Sequence, residues 1–145
     1  MIDTIPLPFT ADPIDAPFWE ATLRSQLVIQ QCAGCQAHRF PPRPMCPQCQ
    51  SLDHRWRPLS GDATVWSYTK PQPPLLPAFE QLLPYVVILA EVAEDPAIRI
   101  IGHLMSKDGA ITGVNEAGLK IGAKLRVAFR QHAPDVAIPG WVLVD

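Results

Sequence analysis

Four cysteines are the residues with the plainest chemical potential in this chain. They stand as Cys32-x-x-Cys35 and, after a gap of ten residues, Cys46-x-x-Cys49, and the chain has no others. Two residues between a pair let both thiolates of a tight turn face one point about 2.3 Å away, which is what a metal knuckle requires. Two knuckles complete a tetrahedron with no open position, so such a site is structural. We expect one zinc per chain. Iron in a rubredoxin-like site uses the same four thiolates and is the alternative. A thioredoxin-like redox pair would need one Cys-x-x-Cys in a βαβ setting, which the pattern lacks.

Around the knuckles lie His38, Arg39, Arg43, His54, Arg55 and Arg57. One reading is charge compensation, since zinc with four thiolates carries two negative charges. The other is a phosphate-binding face for a nucleotide or coenzyme A, for which arginine is well shaped; Arg39 and Arg43 are its candidate residues. Trp66, Tyr68 and Tyr85 are placed to stack on a base or to sit in strands. No paired carboxylates, Gly-rich phosphate loop or Ser/His/Asp arrangement is found, so no catalytic residue is assigned.

Composition bounds what these groups can serve. The chain has 145 residues, 48% of them hydrophobic, which suffices for a packed core. Fourteen acidic against twelve basic residues give a net charge of -2, which argues against a dedicated nucleic-acid binder. No apolar stretch reaches the roughly 20 residues of a membrane span. Met1 to Pro6 shows neither a basic n-region nor an apolar h-region. A cytoplasmic location follows as the expectation, and disulfides are disfavoured.

The 17 prolines cluster at 6–17, 41–47, 71–84 and 134–139, which marks long loops and excludes an all-helical fold. Residues 1–14 read as an extended arm. Asp15 as N-cap and Pro17 in a first turn predict a short helix through Phe18 to Gln26. Leu27 to Ile29 reads as a strand entering the cysteine segment and Arg55 to Leu59 as one leaving it. Beyond Gly61, strands are predicted at Ala63–Thr69, Tyr85–Val92, Arg99–Met105, Lys124–Phe129 and Trp141–Val144. The second of these is apolar apart from Glu91, and is expected to be buried on both faces. Five short strands and one long proline-rich loop fit a Greek-key barrel of the OB type better than a sandwich. The fold is thus mainly β: an arm and helix at 1–26, a ribbon at 27–59 and a five-stranded barrel at 60–145.

The order of these features resembles the zinc-ribbon/OB-fold family long known as a domain of unknown function and described as acyl-CoA-associated. The likeness is carried by Phe18-Trp19, Leu27-x-x-x-x-Cys32-x-x-Cys35, Phe40-Pro41-Pro42-Arg43 and Cys46-Pro47-x-Cys49. It continues through Ser60-Gly61-x-Ala63-Thr64-Val65, Leu83-Pro84-Tyr85-Val86-Val87 and Ile121-Gly122. The family often has glycine after each knuckle, where this chain has Gln36 and Gln50.

The resemblance implies a non-catalytic partner of a thiolase-fold enzyme that handles acyl-CoA, in a hetero-oligomer. The competing reading is a single-stranded nucleic-acid module, since ribbons and OB barrels both bind nucleic acid elsewhere. Surplus apolar residues favour the partner: Phe18 and Trp19 on the helix, and Leu76 and Phe79 in the 71–84 loop, are the expected contacts.

Overall fold

The computed structural model describes residues 5–145, so the first four residues of the predicted arm lie outside it. Helix α1 runs Ala16–Leu23, with Asp15 at its N-cap and Pro17 in the first turn, where a missing N–H costs nothing. It ends three residues before the predicted Gln26. Gln26 N–H donates to the Ala21 carbonyl at 2.9 Å and Ser25 N–H to that of Thr22 at 3.0 Å. These are the two bonds of a Schellman stop, and Ser25 takes the left-handed conformation the stop needs, at φ 56°.

The chain then enters a three-stranded antiparallel ribbon. Strand β1, Val28–Cys32, lies between β2, His38–Arg39, and β3, His54–Pro58. Next come β4, Asp62–Thr69, and, inside the proline-rich loop, one helical turn α2 at Pro77–Glu80. Strands β5, Val87–Val92, β6, Arg99–His103, β7, Lys124–Ala133, and β8, Val136–Leu143, complete the second sheet in the order β6-β5-β4-β7-β8. A parallel bridge from Leu104 to Trp141 joins its two ends, and Met105 N–H donates to the Trp141 carbonyl at 2.7 Å. The sheet is therefore a closed five-stranded OB barrel, as expected.

Two expectations are corrected. The run from Tyr85 to Val92 is not buried on both faces. Ile88, Ala90 and Val92 point into the core, while Val87, Leu89 and Glu91 are half-buried on the outside, because a barrel wall has only one inner face. The last strand begins at Val136, not Trp141. Pro139 pairs opposite Phe129 and is tolerated within the strand, so the Pro139-Gly140 pair that reads as a turn is instead part of the wall.

Those two residues sit at the seam. A Cβ on Gly140 would lie 2.3 Å from the Met105 sulfur and 2.9 Å from the His103 carbonyl oxygen. A Cβ on Gly102 would meet the Pro139 carbonyl oxygen at 2.8 Å. Two side-chain-free positions thus let β6 and β8 close the barrel. Trp141, wholly buried, fills the interior and donates its indole N–H to the Ile100 carbonyl at 3.2 Å.

The core does not stop at the barrel. Phe18, Ala21, Leu27, Val28 and Ile29 belong to the same buried cluster as Val65, Ile88, Ile100, Leu125 and Trp141. Helix α1 packs on β8 and joins the ribbon to the wall. A polar link reinforces this: Arg57 donates to Nε2 of His38 at 2.7 Å, and His38 Nδ1 donates to Asp95 between β5 and β6 at 2.8 Å. Burial alone would raise the Asp95 carboxyl, but the His38 hydrogen bond, the Ala97 N–H and the nearby Arg57 charge hold it below its ordinary value.

The seam gives a direct test. Gly140→Ala should cost about 2 kcal/mol or more, because its Cβ meets backbone as well as the Met105 side chain. Gly109→Ala, where a Cβ meets nothing within 4 Å but φ is +89°, should cost only the smaller backbone strain, about 1 kcal/mol. Urea denaturation of the two variants gives the comparison.

Candidate metal centre

Strand β1 delivers Cys32 to the mouth of the first knuckle, where its side chain is fully buried. The chain turns back at once: Cys32 N–H donates to the Ala37 carbonyl at 2.9 Å, and Gln36 N–H to the Cys32 carbonyl at 3.1 Å. Gly34 N–H and Cys35 N–H point at the Cys32 sulfur at 3.3 and 3.5 Å. The second knuckle repeats the scheme, with Gln50 N–H on the Cys46 carbonyl at 2.9 Å and Cys46 N–H on that of Ser51 at 2.9 Å.

Facing each other, the knuckles bring Cys32 Sγ to 3.6 Å from Cys49 Sγ, and Cys35 Sγ to 3.6 Å from Cys46 Sγ. All four sulfurs lie within 4.8 Å of one another. A regular tetrahedron with metal–sulfur bonds of about 2.3 Å has edges of about 3.8 Å, so the donor set fits a four-coordinate metal. At 3.6 Å the pairs are far beyond the roughly 2.05 Å of a disulfide, and the cysteines are free.

The electrostatics of the cluster ask for a cation. The Cys35 N–H holds the Cys32 thiol down to about 6, helped by Gly34 and the neighbouring thiols against burial. The Cys49 N–H likewise lowers Cys46. Cys35 is pushed up to about 11: the Ala37 N–H favours its thiolate, but burial and the other three sulfurs outweigh it. Four thiolates cannot coexist here unless a positive ion neutralises them.

Both knuckles end on a non-glycine residue in the left-handed region, Gln36 at φ 67° and Gln50 at φ 60°. These are the positions where the family resemblance places glycine. Holding that conformation costs more here than it would with glycine.

The basic residues around the ribbon are mostly committed within the chain. Arg39 is only 5% exposed. It donates through Nε to the Gln30 side-chain oxygen at 2.8 Å and through Nη2 to the Arg43 carbonyl at 3.1 Å. The same Gln30 oxygen accepts from Arg43 N–H at 2.7 Å, so Gln30 and Arg39 brace the segment between the knuckles. Arg55 donates to the Gln31 and Gln36 side chains, and Arg57 to His38. Of the two arginines named for a phosphate, the Arg43 side chain is exposed and Arg39 is inside.

Away from the metal centre, Trp66 lies 46% exposed in a bulge of β4, with the Arg99 guanidinium 4.0 Å above its ring, and Tyr68 is exposed beside it. Phe18 is in the core and Trp19 is half-buried, edge-on to Phe18 at 4.9 Å. Leu76 is 62% exposed on the 71–84 loop, with Phe79 half-buried after it. Sequence reasoning missed Gln30 and the His38–Asp95 link. Gln30 was the one detectable signal, a polar residue directly following the apolar run Leu27-Val28-Ile29.

A rubredoxin-like ribbon whose strands share a core with an OB barrel defines a recognisable class of protein. Residues 19–55 match the rubredoxin-like zinc-ribbon domain of ChsH2, and residues 56–130 match the ChsH2 C-terminal OB-fold domain. The chain belongs to the ChsH2 family of zinc-ribbon/OB-fold proteins, also known as DUF35. It is 35% identical over 126 residues to a probable enoyl-CoA hydratase alpha subunit of Thermomonospora curvata. It is 28% identical over 124 residues to a 3-oxo-4,17-pregnadiene-20-carboxyl-CoA hydratase alpha subunit of Mycobacterium tuberculosis. Each match covers 86% of this chain but 36% of the relative, so the chain spans about a third of their length.

Among solved structures, one chain of an Ltp2-ChsH2(DUF35) aldolase is 32% identical with a TM-score of 0.77, covering 94% of this chain and 98% of that one. A DUF35 protein of unknown function from Sulfolobus solfataricus superposes with a TM-score of 0.61 at 15% identity, covering 91% of this chain and 86% of that one, and shares the fold.

Two measurements follow from the knuckles. Gln50→Gly should stabilise the protein by about 1 kcal/mol by removing the left-handed strain, read as a raised denaturation midpoint at fixed metal content. Metal release should rise as pH falls, because the thiolates must reprotonate to let go. Cys46→Ser should abolish stoichiometric metal and lose ribbon structure first, followed by amide exchange. Retention of one metal per chain in that variant would contradict the four-sulfur site.

Proposed function

We propose that this chain is a non-catalytic, cytoplasmic accessory subunit that holds one zinc ion and docks on a thiolase-fold enzyme acting on acyl-CoA thioesters. The observation that carries the reading is the length-matched neighbour. A chain of the same extent, 32% identical, is one component of an Ltp2-ChsH2(DUF35) aldolase. The two hydratase subunits support acyl-CoA chemistry, the second with a steroid-derived thioester in its name. The match to a zinc-ribbon domain favours zinc over iron in the four-cysteine site.

The docking surface we assign is the 71–84 loop. Leu76 projects from it beside Phe79, and an exposed apolar loop tip costs least when a partner covers it. Phe18, being inside, is left out of this surface. Trp19, half-buried against Phe18, offers only part of its surface. The acyl-CoA contact we assign to this chain is Trp66 and Tyr68, with Arg43; Arg39 serves as a brace.

The chain alone should turn over no acyl-CoA, and mixed with its thiolase-fold partner it should co-elute as a hetero-oligomer. Leu76→Ser with Phe79→Ser should weaken that association at least roughly tenfold, a loss of more than about 1.4 kcal/mol. Zinc content and melting temperature should stay as they were. Turnover by the isolated chain would overturn the accessory reading.

A further inference from the structure

We propose that His103, Arg130 and His132 form a binding site for a tetrahedral dianion of the phosphate or sulfate type, on the outside of the barrel beside its closing seam. The site is separate from the metal centre and from the docking loop, and it does not depend on the accessory reading.

The topology places the three residues on adjoining strands, β6, β8 and β7 being neighbours around the seam. Leu104 and Trp141 point into the barrel where β6 meets β8, so His103, one residue before Leu104, faces out. Arg130 pairs opposite Ile138 across β7 and β8, and His132 sits in the bulge between Gln131 and Ala133. All three side chains are half-buried, shielded yet reachable. His103 packs edge-on against Tyr85 at 5.1 Å, and its Nδ1 is buried with no hydrogen-bond partner. An orphaned ring nitrogen in such a place calls for one. Arg130 spends Nη1 on the Gly109 carbonyl at 3.1 Å and keeps its other donors.

Among the described residues, no ion pair includes any of the three. Asp108, next to Gly109, accepts from the Ser106 hydroxyl, and Glu116 is paired with Lys70. Asp135, in the turn after His132, is exposed. Val87, Ile138 and Gly140 contribute no charge, and burial holds the Tyr85 hydroxyl neutral by raising it. Burial and then the positive neighbours press both histidines below their ordinary value: His132 and Arg130 act on His103, and Arg130 acts on His132. A bound dianion removes that repulsion and lets both rings protonate, so binding should tighten as pH falls from 8 towards 5.5.

Sulfate is the probe, since it keeps its double charge across that range. It is titrated into the metal-loaded full chain, against sodium chloride at matched ionic strength, while the ring resonances of all four histidines are followed by NMR. Saturable shifts should appear at His103 and His132, with their titration midpoints rising by about one unit. His38 and His54, on the ribbon, should stay still. Arg130→Gln should weaken sulfate at least roughly tenfold. If chloride reproduces the shifts, or if folded Arg130→Gln binds as tightly, the site does not exist. Should Arg130→Gln fail to fold, His132→Gln decides by the same criterion.

Discussion

Four cysteine sulfurs within 4.8 Å of one another are a problem in charge before they are a metal site. Backbone N–H groups favour the thiolate at Cys32 and Cys46, while crowding holds Cys35 in the thiol form. A cation resolves the conflict, and almost everything in residues 27–59 is arranged to hold the sulfurs where one can do so. Two tight turns, two left-handed glutamines and the Gln30–Arg39 brace are its supports. With only three short strands, the ribbon has little apolar area of its own, so the ion and the core shared with helix and barrel hold it together.

The parts visible in the sequence were those dictated by local chemistry. Cysteine spacing specified the knuckles, and β-branched runs such as Ala63–Thr69 specified strands. The proline clusters at 41–47 and 71–84 marked loops, whereas the one at 134–139 runs into β8. The errors fell where distant segments decide the outcome. Pro139-Gly140 reads as a turn by every local rule, yet it lies in a strand because β6 must approach closely there. The run at Tyr85–Val92 reads as apolar almost throughout, yet the wall has one inner face, and Val87 and Leu89 lie on the outside with Glu91. Gln36 and Gln50 stood out only through the resemblance, since glutamine by itself gives no hint of a positive φ.

For the candidate site the division is similar. The metal ligands were legible because chemistry and spacing coincide at neighbouring positions. The role of Arg39 was not, since it depends on a glutamine nine residues earlier and on a carbonyl four residues later. Nor was the His38–Asp95 bond, whose partners stand 57 residues apart and meet only when the ribbon has docked on the barrel.

The common core of helix, ribbon and barrel bears on how this protein can be taken apart. The natural-looking cut, between the ribbon and barrel homology regions at residues 55 and 56, passes through a single apolar interior. An isolated barrel would lose Phe18 and Ile29 from its packing and present bare hydrocarbon to water. An isolated ribbon would carry the complementary sticky face. The unit that folds is therefore helix, ribbon and barrel together.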